Sequence, residues 1–354
     1  MDCEKDTILI TGGTGFIGSH VCYFFLKKGF NVVSLDSLVN SSKKVNKNID
    51  NLLLSEGYEA TGNLKFVKGD IRNKDLLRCV FNDQLKKNKP ISSVIHLAGL
   101  KSVKQSKLNA LDYWSNNVCG SINIFNVMKE FKCNSIVFSS SATIYGISEN
   151  PLIKENEEFK PQNPYGKTKA TIEKILEDIF EESYKSMRIS NLRYFNPIGA
   201  HPSGMIGESP NTTPENLFPY ILQVACGRQK ELNIYGNNWP THDGTGVRDY
   251  IHIMDLAESH YLALIHLINN KPQILNLNIG TGIGTSVKEL VNIFESVNKC
   301  NIPFVYKDRR DGDVSICVAD NSYSKKVLGW IPRRNIQDMC KDGWKWMSKF
   351  PNGF

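Results

Sequence analysis

An apolar strand that runs straight into a glycine-spaced turn and then a helix leaves a chain few architectures to fold into, and this chain opens with one. TILIT, Thr7 to Thr11, leads into TGGTGFIG, which sets Gly12, Gly15 and Gly18 at a GxxGxxG spacing before a helical stretch from Phe16 to about Lys28. Glycine tolerates the tight turn and lets another backbone or a ligand come close, while the first helical turn offers N–H groups without partners and the positive end of a dipole. Together they form a cradle for a pyrophosphate. Asp36 closes the next strand-like segment, NVVSLD, about twenty residues on, where a carboxylate accepts hydrogen bonds from an adenosine ribose and repels a 2′-phosphate. The residues read as a site for NAD rather than NADP.

LKFVKGD, SSVIHLAG, SIVFSSS and SNLRYFN come next, mostly with helical stretches between them. They are short, apolar and do not alternate, the signature of parallel strands covered on both faces. Ligands of such sheets lie beyond the carboxyl ends of the strands. From Pro197 the chain turns rich in Pro, Gly and Asn, and helical periodicity returns at LFPYILQVACG and DLAESHYLALIHLI. The expected fold is therefore α/β, a doubly wound parallel sheet of Rossmann type with a second, smaller substrate-binding α/β lobe. Residues 1–196 are assigned to NAD and 197–354 mainly to substrate, with some segments crossing back.

A hydrophobic content of 41% over 354 residues is globular, and no uncharged apolar run reaches the about eighteen residues of a membrane span. The acidic start, MDCEKD, does not resemble a signal peptide. Nine cysteines, an odd number, lie scattered from Cys3 to Cys340 without a CxxC pair, which suits a reducing cytoplasm better than a disulfide framework or zinc ribbon. The net charge of +7 comes without a basic stripe interleaved with aromatics, so nucleic acid is unsupported and a phosphorylated small substrate accounts for the balance equally well.

Chemistry is concentrated in two places. SIVFSSS ends in Ser139, Ser140 and Ser141, and NPYGKTK begins a helix in which Asn163 suits the N-cap and Pro164 the first turn. Tyr165 and Lys169 then stand at i and i+4 on one face. An ammonium and a nicotinamide cation beside a phenol favour the phenolate, and lowering a tyrosine from about 10 to about 7 takes ~4 kcal/mol. Tyr165 reads as a base, and Ser141 as a second contact to the same substrate hydroxyl. A second glycine loop, IGTGIGTSVKEL, reads instead as a helix start, because Ser286 and Glu289 fit a capping box. His252 and Asp255 in HIMD lack metal-ligand spacing, so no metal site is expected. Trp114, Val118, Ile122 and Phe125 read as a helical stripe packed on the sheet.

These motifs are similar to those of the extended short-chain dehydrogenase/reductases, and within them of the UDP-glucose 4-epimerases. The resemblance runs through ILITGGTGFIGSH, HLAGLKSV, FSSSATIYG, PYGKTK, LRYFNPIGAHPSG, GNNWPTHDGTGVRDYIHIMDLA and RRDGDV to GWKWMSKFPNGF, nearly the whole chain. It implies that Tyr165 is the base, Lys169 its partner and Ser141 the contact to the sugar 4-hydroxyl. With the three glycines, it places Phe16, Ile17, Asp36, Asn40, Asp70, Ile71, Leu97, Ala98, Gly99, Lys101, Asn117 and Phe195 at NAD, where Ser141, Tyr165 and Lys169 also stand. Asn196, Asn216, Leu217, Asn233, Ile234, Tyr235, Arg248, Arg310, Asp313 and Cys317, with Ser141 and Tyr165, fall at the UDP-sugar. Ser37 and Leu97 depart from the residues usual there, Asn and Phe. The implied reaction inverts carbon 4 of UDP-glucose or UDP-galactose through a 4-keto sugar on retained NAD. Cys317, at a position where some members carry tyrosine, extends the expected range to the N-acetylated sugars. The family's pairing of helices between subunits implies a homodimer. Related 4,6-dehydratases and decarboxylases usually carry Thr-Asp-Glu or Thr-Ser-Glu after the fifth strand, whereas Ser141, Ala142 and Thr143 stand here. A catalytically silent NAD-binding scaffold is the remaining alternative, and an intact serine, tyrosine and lysine weighs against it.

Overall fold

The residues of the first strand face two different cores. β1 (Thr7–Thr11) is buried throughout, with Ile8 and Ile10 in one apolar cluster and Leu9 in another, so helices must cover the sheet on both sides. The computed structural model describes residues 6–58, 63–148, 150–183, 185–210, 214–310 and 312–354; Cys3 and the rest of residues 1–5 lie outside them.

β2 (Asn31–Asp36), β3 (Leu64–Lys68), β4 (Ile91–His96), β5 (Ser135–Ser141), β7 (Arg188–Tyr194) and β11 (Gln273–Ile279) join β1 in a seven-stranded sheet, with the order β3-β2-β1-β4-β5-β7-β11. Every neighbouring pair is parallel. The order reverses between β1 and β4, which opens a crevice at their carboxyl ends. Helices Phe16–Lys27 and Ile253–Asn269 bury Val21, Phe25, Leu256 and Leu264 on one face. Helices Lys74–Lys86, Gly120–Glu130 and Pro164–Glu182 bury Leu77, Phe81, Phe125, Ile172 and Leu176 on the other. The Ile253–Asn269 helix and β11 thus return from the later chain to the first sheet.

A smaller sheet holds β6 (Leu152–Ile153), β8 (Asn196–Ile198), β10 (Val247–His252), β12 (Gly284–Ser286) and β14 (Ile316–Ala319), while β9 (Leu232–Tyr235) pairs in parallel with β13 (Phe304–Lys307). Phe218, Ile221, Leu290, Phe294 and Met339 form the core of this part. The second glycine loop is structural, as its residues suggest: Ser286 and Glu289 make both halves of a capping box at the helix Val287–Asn298. His252 is the N-cap of the Ile253–Asn269 helix and meets Asp342 at 3.2 Å, and Asp255 is paired with Arg334.

The expected stripe at Trp114–Phe125 is not continuous. Residues Trp114–Cys119 form a π-helical turn, which takes an extra residue and rotates the later part of the helix. Val118 and Phe125 pack toward the sheet, but Ile122 is 39% exposed, and Asn117 is turned inward instead.

Candidate active site

The glycine turn is shaped by close approach. Gly12 has φ of 72°, and a Cβ there would come within 2.9 Å of the Ala98 backbone nitrogen; a Cβ on Gly18 would stand 2.0 Å from the Gly12 carbonyl oxygen. The turn is thereby seated on the Leu97–Gly99 loop beyond β4. Gly15 is the N-cap of the Phe16–Lys27 helix and makes no side-chain bond, so the N–H groups of the first helical turn have no side-chain cap. Asp36, at the end of β2, accepts from the backbone N–H groups of Thr14 (3.1 Å) and Leu38 (2.8 Å) and from Ser41 Oγ (2.9 Å). The carboxylate is fixed beside the turn. Asn40 lies exposed in the loop after β2.

Ser141 ends β5, and the helix carrying Tyr165 and Lys169 begins against it. Asn163 Oδ1 accepts from the Gly166 N–H at 2.9 Å, and Pro164 occupies the first turn, as the sequence predicts. Gly166 lets the helix start pack tightly, since a Cβ would stand 2.8 Å from the Thr143 carbonyl oxygen. Ser141 Oγ accepts from the Thr143 N–H (3.3 Å) and Oγ1 (3.0 Å), which leaves its own proton free to point elsewhere.

The electrostatics differ from the expectation of a ready phenolate. Lys169 Nζ donates to the Ser139 carbonyl oxygen at 2.6 Å and lies 5.9 Å from the centroid of the Tyr165 ring, with Phe138 closer at 4.8 Å. Burial pushes the Tyr165 phenol up to about 12, against a lowering by the Ser141 hydroxyl. Burial likewise pulls Lys169 down to about 7, opposed by the charge of Glu173. Desolvation dominates at Tyr165, where the ionised phenol would gain only the Ser141 hydrogen bond against burial.

Several cofactor-side residues spend their side chains on the protein. Asn117 bonds both backbone groups of Leu100 (2.8 and 3.1 Å) and Thr168 Oγ1 (3.1 Å), which ties the loop after β4 to the helix of Tyr165. Asp70 is forked by Arg72, with its shortest contact at 2.6 Å, and the guanidinium holds the carboxyl below its usual range. Ile71 is buried against the helix at Gly120. Lys101 pairs with Glu208 at 2.7 Å, and the neighbouring Ser102 donates to Glu215, so the loop after β4 is bonded to the segment beyond β8. Thr11, His96 and Ser121, none of them among the residues assigned to the site, form a buried chain at the end of β4: His96 meets Thr11 Oγ1 at 2.7 Å and Ser121 Oγ at 2.8 Å.

The substrate-side residues fall in two groups. Phe195 and Cys317 pack with Ala142 and Tyr145 beside Ser141, while Asn196 begins β8. Cys317 is the register partner of Arg248, and burial pushes its thiol up to about 11. Further along, the Arg310 guanidinium stacks 3.7 Å from the centroid of Tyr235, and the Asp313 N–H donates to the Arg310 carbonyl at 3.2 Å. In β9 burial alternates, so Asn233 and Tyr235 face outward while the Ile234 side chain lies in the core, with only its backbone left to meet a ligand. Asn216 and Leu217 form the start of the Leu217–Ala225 helix.

Comparison with known proteins matches nearly the whole chain. The family description for GDP-mannose 4,6-dehydratase matches residues 9–343. The chain is 43% identical over 348 residues to the UDP-glucose 4-epimerase of Bacillus subtilis, covering 98% of each. Among solved structures, UDP-glucose 4-epimerase from Stenotrophomonas maltophila, with bound NAD and formylated UDP-arabinopyranose, superposes at a TM-score of 0.91 and 41% identity over 98% of this chain and 99% of that one. The enzyme from Bifidobacterium longum, in complex with NAD+ and UDP, gives 0.90 and 39% over 98% of this chain and 100% of that one.

Proposed function

The chain belongs to the UDP-glucose 4-epimerase family, and from that premise we propose that it interconverts UDP-glucose and UDP-galactose through a 4-keto sugar on tightly bound NAD. One observation carries the reading: Ser141, Tyr165 and Lys169 converge at the carboxyl end of β5 beside a pyrophosphate-shaped turn, with Ala142 and Thr143 where a dehydratase would need an acid.

The residues present fit NAD. The turn is too close for any Cβ at Gly12 or Gly18; the Gly15 N–H closes the turn on the Gly12 carbonyl at 3.1 Å, and the helix start at Phe16, Ile17 and Gly18 would supply the backbone N–H groups for the pyrophosphate. Asp36 would hold the adenosine ribose. When bound, NAD supplies the hydride acceptor and donor for carbon 4 and a positive charge beside the phenol. Tyr165 takes the proton of the sugar 4-hydroxyl and returns it. Ser141, whose oxygen already accepts twice from Thr143, donates to the same hydroxyl and orients it. Lys169 contributes charge to a pocket that excludes water. Arg248 and Arg310 would clamp the diphosphate, with Tyr235 stacked on Arg310 at the same site, so the hexose can turn over while UDP stays in place. Residues 1–196 serve NAD and 197–354 mainly the UDP-sugar, with some segments crossing back.

A wider substrate range rests on Cys317, a small side chain beside the sugar pocket next to Phe195, where it leaves room for an N-acetyl group. The exposed Ile122 and Leu111, 39% and 83% accessible on the segment around the π turn, support a homodimer. Free cysteines suit a cytoplasmic enzyme, and among the described residues no helix is long and apolar enough to cross a membrane. The test is incubation of the purified protein with UDP-galactose and no added cofactor, with the products read by proton NMR. UDP-glucose is the expected product; a 4-keto-6-deoxy sugar would establish a dehydratase instead.

A further inference from the structure

Behind Lys169 lies a buried ion pair that takes no direct part in the proton and hydride transfers. Glu173 stands one helical turn beyond Lys169 and is fully buried. Arg193 of β7, 2% exposed, donates to it from Nε (3.1 Å to each oxygen) and from its terminal nitrogen (2.7 Å). Ser140, adjacent to Ser141, donates a further bond to the same carboxylate. Arg193 spends its other terminal nitrogen on Tyr145 Oη (2.9 Å) and the Glu155 carbonyl (2.7 Å), with Phe159 across its face at 4.9 Å.

A buried pair of this kind is weak support for stability, because desolvating both charges offsets most of their attraction. What it supplies here is position and charge. It joins β5 at Ser140, the helix of Tyr165 and Lys169, and β7 just before Phe195. It also sets a carboxylate that cannot escape to solvent one turn from an ammonium with a single carbonyl acceptor at 2.6 Å. We propose that Glu173 is a positioning residue for the reaction, whose fixed negative charge favours the cationic form of Lys169 against its burial in the dry site. The inference rests on the role of Lys169 in the proposed epimerisation.

The other charged or titratable groups around Lys169 do not take this part. Tyr165 precedes it on the same helix and is neutral when protonated; His96 on β4 is pulled down to about 3 by burial and then by Lys169, so it stays uncharged. Arg193 on β7 carries positive charge and opposes the effect. β5 presents Phe138 and serines, and the π turn presents Asn117.

The test is Glu173→Gln, which keeps the shape and an acceptor for Arg193 while removing the charge. Wild type and variant are labelled with 13Cε-lysine, the Lys169 resonance is assigned by its loss in Lys169→Met, and each is titrated by NMR. The expected result is a fall in the Lys169 midpoint of about one to two pH units, as for a charge one turn away at an effective dielectric of about 20. An unchanged midpoint would overturn the proposal. Ser140→Ala, which removes a bond but no charge, is expected to leave the midpoint in place; an equal fall there would also overturn it. Should the unpaired arginine prevent folding, Glu173→Gln with Arg193→Gln removes both charges, and the midpoint must still fall. The titration needs no turnover, so the two failures are told apart: absence of epimerisation of UDP-galactose refutes the proposed reaction, and an unchanged midpoint refutes the part given to Glu173.

Discussion

Replacing Lys169 with methionine isolates the electrostatic part of the catalytic reading. Methionine keeps the length and apolar stem of lysine but removes its charge and its bond to Ser139. The ammonium lies 5.9 Å from the Tyr165 ring centroid. At that separation and an effective dielectric of about 20, a unit charge is worth about 3 kcal/mol to the phenolate, or about two pH units. The sign comes from the charge: losing a cation disfavours the ionised phenol, so its titration moves upward. Below that midpoint the rate tracks the phenolate fraction, which drops tenfold per unit. In NAD-loaded protein, kcat for UDP-galactose is therefore expected to fall about a hundredfold at neutral pH and to recover progressively as pH rises. UDP affinity should hold, since Lys169 faces Tyr165 and not the Tyr235–Arg310 group. The assay is kcat against pH for wild type and variant, with UDP binding by calorimetry. A variant within a few-fold of wild type at every pH, or one slower by the same factor throughout, refutes the charge argument.

Tyr165→Phe removes the proton acceptor itself and should lower kcat by about 10² to 10⁴ with UDP affinity preserved, checked by the same two assays. Asp36→Ala is expected to reduce the NAD recovered from denatured protein and to relax the exclusion of NADP; equal NAD content and unchanged exclusion remove Asp36 from the ribose site. Cys317→Tyr should abolish turnover of UDP-N-acetylglucosamine while sparing the glucose–galactose pair, and a wild type inert toward the N-acetylated substrate ends that reading. Ile122→Glu is expected to convert a dimer to monomer in sedimentation, and an unchanged mass would move the interface elsewhere.

Much of the architecture is legible in the sequence because it is local. The glycine turn, Asn163 with Pro164, and Ser286 with Glu289 each declare their structure within a few residues, and unalternating apolar segments declare a sheet buried on both faces. Other features depend on contacts that no short pattern contains. Lys101 meets Glu208 across the chain, and Glu173 finds Arg193 only once β7 lies beside β5. The π turn at Trp114–Cys119 keeps an ordinary helical spacing in sequence, yet it turns Asn117 inward and Ile122 out. The state of Tyr165 is set by burial, which spacing cannot report; the i, i+4 lysine suggests a lowered phenol, and the folded pocket raises it. The core position of Ile234 is open to a sequence reading, since LNIY alternates as a half-buried strand does.

The central claim is that hydride leaves carbon 4 and returns to the same carbon of the same sugar, with the cofactor held throughout. The direct measurement uses UDP-galactose deuterated at carbon 4, mixed with an unlabelled UDP-sugar substrate of distinguishable mass, in the presence of purified protein and no added NAD. Mass spectrometry and NMR of the product should show UDP-glucose that keeps its deuterium at carbon 4, with the label absent from the second substrate. Loss of deuterium to solvent, or its appearance in the unlabelled partner, would contradict a reaction that begins and ends on one clamped sugar.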